Sequence, residues 1–259
     1  RSTLFPYTTL FRSLELGSFL GILWSVLKPL LLFLVMYLVF VKFLKFTDGT
    51  KTYPIVLLLG IALWGFFTEA TSVGMNSIVS RGDLLRKINF PKYIIIISSM
   101  SSAFISLSIN LIVVLIFGLI SGVDFTWKAL LAQLSIIQLF ILALGVSLIL
   151  STLYVKFRDI SHIWDVIMQI CFYSIPIIYP LSLVSNFHPE VAKVMMLNPI
   201  AQSIQDVRYS LIAPQTTPTT WSTINNIWIS LIPVVLTVII VIIGVIYFRK
   251  SSKTFAENM

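Results

Sequence analysis

Residues 129–155 read ALLAQLSIIQLFILALGVSLILSTLYV, 27 positions without a charged side chain, and the next four are KFRD. A helix needs roughly 20 apolar residues to cross the ~30 Å hydrocarbon core of a bilayer, so this stretch is long enough to span. Hydrocarbon offers no partner to backbone N–H and C=O groups, and the run lacks the alternation of a barrel strand. The form that satisfies its own backbone is an α-helix, stopped at a membrane surface by KFRD.

The same pattern recurs to either side. Phe19–Leu44, Pro54–Val79 and Tyr93–Ile120 precede it, and a shorter Ile163–Ile178 and then Ile227–Phe248 follow. Of the 259 residues 58% are hydrophobic and only 11% charged, where a soluble domain carries about 25% charged residues. The expected fold is therefore all-α and polytopic, with six transmembrane helices.

Lys and Arg in short loops set the orientation. Arg81, Arg86, Lys87, Lys92, Lys156, Arg158, Arg249, Lys250 and Lys253 fall on one face, against Lys42, Lys45, Lys51 and Lys128 on the other. Nine against four puts both termini in the cytoplasm. The formal charge of +8 is then a topology signal rather than the footprint of nucleic acid.

Between the fifth and sixth spans, residues 179–221 are too polar to span and too apolar for a plain loop. Val191–Leu197 and Ile200–Ile212 read as two short helices broken at Asn198-Pro199, because proline removes a donor and disfavours helix at the residue before it. They are expected at the outer interface or as a re-entrant pair.

No GxxxxGK[ST] phosphate loop, HExxH, GxSxG or Cys/His cluster is present, so no catalytic or metal site is expected in this chain. His162 and His188 fall on opposite sides of the membrane in this topology, Cys171 is alone in an apolar run, and Asp159, Ser161 and His162 read as a solvated loop. The loop RGDLLRKINFPKY (residues 81–93) has two readings. Its charges act as a retention signal capped by Pro91, or it forms a short helix along the membrane, with Leu84, Leu85, Ile88 and Phe90 held down and Arg86 and Lys87 offered to a soluble partner.

Lys28 and Glu69 are charges inside spans, which are costly and face the bundle or water. At about 1.5 Å per residue they lie about 13 Å and 16 Å in from the cytoplasmic ends of successive helices. They either form an ion pair or each face water in a conduit. Among the abundant aromatics, most belong to packing or the interfacial belt, while Trp64, Phe66, Phe67 and Tyr173 are candidates to line a path for sugar rings.

Six stretches, GSFLGILWSVLKPL (17–30), YPIVLLLGIALWGFF (53–67), NSIVSRGDLLRKINFPK (76–92), KFRDISHI (156–163), PIIYPLSLV (176–184) and LNPIAQSIQDVRYSLI (197–212), follow one another in an order and spacing that resembles the permease subunit of type-2 ABC exporters of polysaccharides and polyol phosphates. That group includes O-antigen, capsule and teichoic acid exporters. The resemblance implies a half-transporter in the bacterial cytoplasmic membrane that pairs with a second copy of itself and with two copies of a separate ATP-binding subunit, on which ATP and Mg would sit. It implies a lipid-linked glycan as substrate, and no cofactor in this chain.

By the same resemblance the loop carrying Arg81, Asp83, Leu84, Leu85, Arg86, Lys87, Phe90 and Pro91 is a coupling helix docking on the ATPase. Pro176, Tyr179, Pro180, Asn198, Pro199 and Arg208 correspond to an outer gate and re-entrant region. The charges Lys28 and Glu69 depart from the polar uncharged residues usual there. Two other classes remain: a secondary transporter, needing mid-membrane carboxylates and inverted repeats, and a membrane-embedded glycan-processing enzyme, needing paired acids. One candidate carboxylate, no repeat and no acid pair are found.

Residues 1–13, RSTLFPYTTLFRS, resemble the translation of a common short-read sequencing adapter. They are expected to be foreign to the native protein, whose own amino-terminal interfacial helix is then truncated; residues 14–259 form a single transmembrane domain. Removing Arg1 and Arg12 takes the formal charge from +8 to +6.

Overall fold

A computed structural model describes residues 19–82, 91–123, 125–224, 226–252 and 255. Helix α1 (Phe19–Met36) runs into a π-helical segment (Tyr37–Phe43). It is followed by α2 (Tyr53–Ser80), α3 (Tyr93–Ile120), α4 (Ala129–Lys156) and α5 (Ile160–Ser174). A group of short helices comes next: α6 (Leu181–Phe187), α7 (Pro189–Met196), α8 (Pro199–Leu211), α9 (Thr220–Thr223) and α10 (Ile227–Ser230). Helix α11 (Ile232–Ser251) closes the described bundle. Among the described residues the structure is all helical, and four helices, α2, α3, α4 and α10 joined to α11, are long and apolar enough to cross a bilayer.

Helix α2 is the axis of the bundle. The most apolar window of α2 is 78% buried, against 22% in α3 and in α11, and it packs most heavily on α3 and α4. The outer helices leave Ile112, Ile116 and Leu119 of α3 and Val238, Ile242 and Ile246 of α11 exposed, as a lipid-facing surface should. Small residues draw the helices together where lipid supplies no hydrophobic drive. A Cβ on Gly244 of α11 would sit 2.6 Å from the Gly145 carbonyl oxygen of α4, and one on Gly74 of α2 would meet Ser147 of α4 at 2.5 Å.

Two segments end differently from expectation. The fifth span, expected over 163–178, is a helix starting at Ile160 and stopping at Ser174, because Pro176 and Pro180 cannot continue it and Ile175 is already extended. Fifteen residues reach about 22 Å, short of the hydrocarbon thickness. The sixth span is interrupted at Leu231, with Pro233 in the first turn of α11. The two short helices expected after the fifth span are present as α7 and α8, and Asn198 caps α8 by accepting from the Ile200 amide at 2.9 Å.

Alternating helix directions place Arg81, Lys92, Lys156, Arg158, Arg249 and Lys250 at one end. There the Lys92 ammonium donates to the Ser252 carbonyl and lies over the Phe255 ring. The α8 layer closes the opposite end, where Lys128 reaches Tyr209 at 3.3 Å. Residues 1–13 and, of the loop, Asp83, Leu84, Leu85, Arg86, Lys87 and Phe90 lie outside the described residues; Arg81 and Pro91, which flank that loop, are exposed.

Candidate functional site

The break after α5 strands three successive carbonyls, those of Pro176, Ile177 and Ile178, which no helix turn can satisfy. Arg208 of α8 answers two of them: Nη1 donates to Pro176 O at 2.6 Å and Nη2 to Ile177 O at 2.7 Å. Its Nε donates to Val56 O of α2 at 3.0 Å. Gln205, one turn earlier, donates to Pro176 O at 3.4 Å, and the Tyr53 hydroxyl donates to Ile178 O at 3.3 Å. Arg208 is 2% exposed. Burial pushes its guanidinium down to about 10, which still leaves it charged at neutral pH, neutralised by carbonyl dipoles instead of a carboxylate.

Room for the guanidinium comes from Gly60. A Cβ there would overlap the Arg208 side chain, lying 2.6 Å from Cζ and closer still to Nη2. Of the six residues expected at the outer gate, the clamp thus unites Pro176 and Arg208 directly. Pro180 ends the break as the residue before α6, and Asn198 and Pro199 start the helix that carries Arg208. Tyr179 instead ties back to α5, its hydroxyl donating to Tyr173 O at 3.1 Å. Sequence reasoning missed Gly60, Tyr53 and Gln205; the polar run QSIQDVR in an apolar chain was the available signal for Gln205.

On the neighbouring face of α8 a second polar chain links it to α4. Gln138 donates to Gln202 at 2.6 Å, and Gln202 donates to Asp206 Oδ2 at 2.5 Å, while Asp206 Oδ1 is buried without a partner. Burial pushes the Asp206 carboxyl up to about 6, and the Gln202 hydrogen bond draws it partly back. A carboxyl whose folded pKa lies above its ordinary value near 3.8 is held more tightly as the acid in the folded state. Its contribution is therefore favourable at low pH and lost as pH rises through about 6. Asp206→Asn should remove that slope, making the variant the more stable form above pH 6 by roughly 1–3 kcal/mol. Thermal unfolding in detergent at pH 4 and pH 7.5 measures it; equal pH responses of the two proteins would refute it.

A cavity of about 730 Å³ opens between α1, α2 and α3, at mid-helix depth. Lys28 and Glu69 both line it; the salt bridge within 4.0 Å among the described residues is Lys193–Glu190, while the Lys28 charge acts on the Glu69 carboxyl at longer range. The two residues thus reach similar depth on adjacent helices and face one cavity, close enough to interact electrostatically without a direct salt bridge. The four candidate aromatics also divide. Trp64 and Phe66 line the cavity, Phe67 is 1% exposed in the core, and Tyr173 stands on the exposed side of α5 beside Phe172. Trp64 packs on Phe67 and Phe172 with ring centroids 6.3 and 5.9 Å away. The α5 helix is anchored to α2 by Trp164 Nε1 donating to Thr71 Oγ1 at 3.1 Å.

Comparison with known proteins gives the same direction. The sequence profile of the ABC-2 type transporter matches residues 11–212. The chain is 30% identical over 207 residues, 78% of each chain, to the O-antigen export system permease protein RfbA of Myxococcus xanthus. It is 27% identical over 246 residues to the O-antigen export system permease protein RfbA of Klebsiella pneumoniae, covering 93% of this chain and 88% of that one. With its long apolar helices and this profile match, the chain is a multi-pass protein of the bacterial cytoplasmic membrane and belongs to the ABC-2 type transporter family.

Proposed function

We propose that this chain is the membrane-spanning subunit of an ATP-driven exporter that moves a lipid-linked polysaccharide of the O-antigen kind outward across the cytoplasmic membrane. The observation that carries the reading is the likeness to O-antigen export permeases along 93% of the chain. In this reading six segments cross the membrane, the fifth as the short α5 continued by the extended residues after Ser174, both termini are cytoplasmic, and the α6–α10 layer with its Arg208 clamp lies at the outer end. Two copies of the chain would assemble with two copies of an ATP-binding subunit, which would hold ATP and Mg.

Support for the orientation comes from the cluster of Arg and Lys at the end opposite α8. The loop at residues 81–92 leaves that basic end, which suits it to receive the push of ATP-driven closure in the partner. Charge reversal there tests coupling: Arg86→Glu with Lys87→Glu should lower co-purification of the ATP-binding subunit at least fivefold while the chain still reaches the membrane. Unchanged co-purification would overturn the docking role. Cells lacking the chain should accumulate the glycan inside and regain export when it is returned. Glycan transport in proteoliposomes without the partner subunit or ATP would overturn the export mechanism.

A further inference from the structure

We propose that the segment after α11 straps down the exit of the 81–92 loop, with Lys92 and Phe255 as positioning residues for docking of the ATP-binding subunit. This rests on the export reading above and deepens it by naming what orients the docking loop. Lys92 is the residue before the first turn of α3, and the carbonyls of Pro91 and Lys92 accept from the Ile94 and Ile95 amides at 3.1 and 3.2 Å. The end of the loop is thereby continuous with the start of the helix. A cation is poorly placed at a helix N-terminus, where the dipole is positive. The Lys92 ammonium turns away from that end and donates to the Ser252 carbonyl, just past the last turn of α11. There it meets a carbonyl without an intrahelical partner and the negative end of a second dipole. Arg249 and Lys250, the basic residues in the last turn of α11 itself, are exposed.

Phe255 completes the strap. It is 1% exposed although it follows the last long apolar helix. Its ring packs edge-on to Phe248 of α11, with centroids 5.4 Å apart, and the Lys92 ammonium lies 5.5 Å from its centroid. A ring face attracts a cation, so the aromatic pair fixes where the ammonium sits, and the ammonium fixes the first turn of α3. Helix α3 packs mainly on α2, and α11 mainly on α4. The strap therefore ties together two helices that rely on different neighbours. A docking segment already held in its bound direction has less freedom to lose on binding. Buried as it is, Phe255 offers a partner no surface of its own and acts through Lys92.

The experiment uses the full chain co-expressed with its ATP-binding subunit and reads co-purification at matched membrane level. Lys92→Met, which keeps the stem and removes the charge, should lower co-purification by roughly threefold or more. Lys92→Arg should restore it, since a guanidinium also donates to a carbonyl and stacks on a ring. Phe255→Leu keeps an apolar filler without a ring face. It should lower co-purification similarly in the parent and change nothing further in the Lys92→Met background. A loss that Lys92→Arg does not restore, or losses that add in the double variant, would overturn the strap. So would unchanged co-purification in Lys92→Met while Arg86→Glu with Lys87→Glu still lowers it, and the docking role of the loop would then stand. Unchanged co-purification in every one of these variants would overturn both. Should Lys92→Met not reach the membrane, Phe255→Leu decides: a loss supports the strap and normal co-purification refutes it.

Discussion

Gly60→Ala is expected to destabilise the protein by about 1–3 kcal/mol, although alanine is the better helix former. The added methyl collides with a guanidinium that is held at three points and is 2% exposed. To move aside, Arg208 would have to release the carbonyls of Pro176 and Ile177. Arg208→Ala releases them outright: the buried Ile177 carbonyl loses its donor at a cost of about 1–3 kcal/mol, and the Pro176 carbonyl keeps only the Gln205 hydrogen bond at 3.4 Å. The decisive arm is the double variant. With the guanidinium gone, the Gly60 methyl enters vacated space, so Gly60→Ala should cost little in the Arg208→Ala background. Thermal unfolding of the four proteins in detergent gives the coupling directly. An additive result would mean that Gly60 does not make room for Arg208. Arg208→Lys should resemble the alanine variant more than the parent, because an ammonium cannot present donors in three fixed directions.

The long spans were legible because hydrocarbon thickness leaves few options. The expected runs 93–120 and 129–155 differ from α3 and α4 by at most one residue. Helices α7 and α8 were legible from one dipeptide, Asn198-Pro199, which both breaks and caps. What Arg208 does was not, since its partners are backbone carbonyls, and a carbonyl carries no residue identity in the sequence. Lys28 and Glu69 show the same limit from the other side. Depth follows from counting residues, but whether two side chains meet depends on helix rotation and spacing, and here both face one cavity and interact without a direct salt bridge. The aromatic candidates on α2 separate only along a short polar stripe: Trp64 lies one turn before Thr68 and Glu69, which share its cavity, whereas Phe67 lies off that stripe in the core.

Gly244→Leu is expected to disrupt the bundle more than any substitution on the lipid-facing side of α11. The Cβ of residue 244 would lie 2.6 Å from the Gly145 carbonyl oxygen and 3.3 Å from its carbon, and in return a Cβ on Gly145 would lie 2.9 Å from Val241 Cα. These are backbone atoms on both sides, so no rotamer change relieves the overlap and the helices must separate. In lipid such separation is opposed only by lost packing and hydrogen bonding, so the helix leaves instead of adapting. We expect Gly244→Ala to cost about 1–3 kcal/mol and Gly244→Leu to lower the membrane level of folded chain several-fold. Ile242→Leu, on an exposed face, should be neutral. The consequence extends past α11: Ser252 accepts from Lys92 and Phe255 lies under its ammonium, immediately after the 81–92 loop. A loosened α4–α11 crossing should therefore also reduce co-purification of the ATP-binding subunit in Gly244→Ala, where the chain still folds. Normal stability in Gly244→Leu would show that the two backbones do not approach this closely in the membrane.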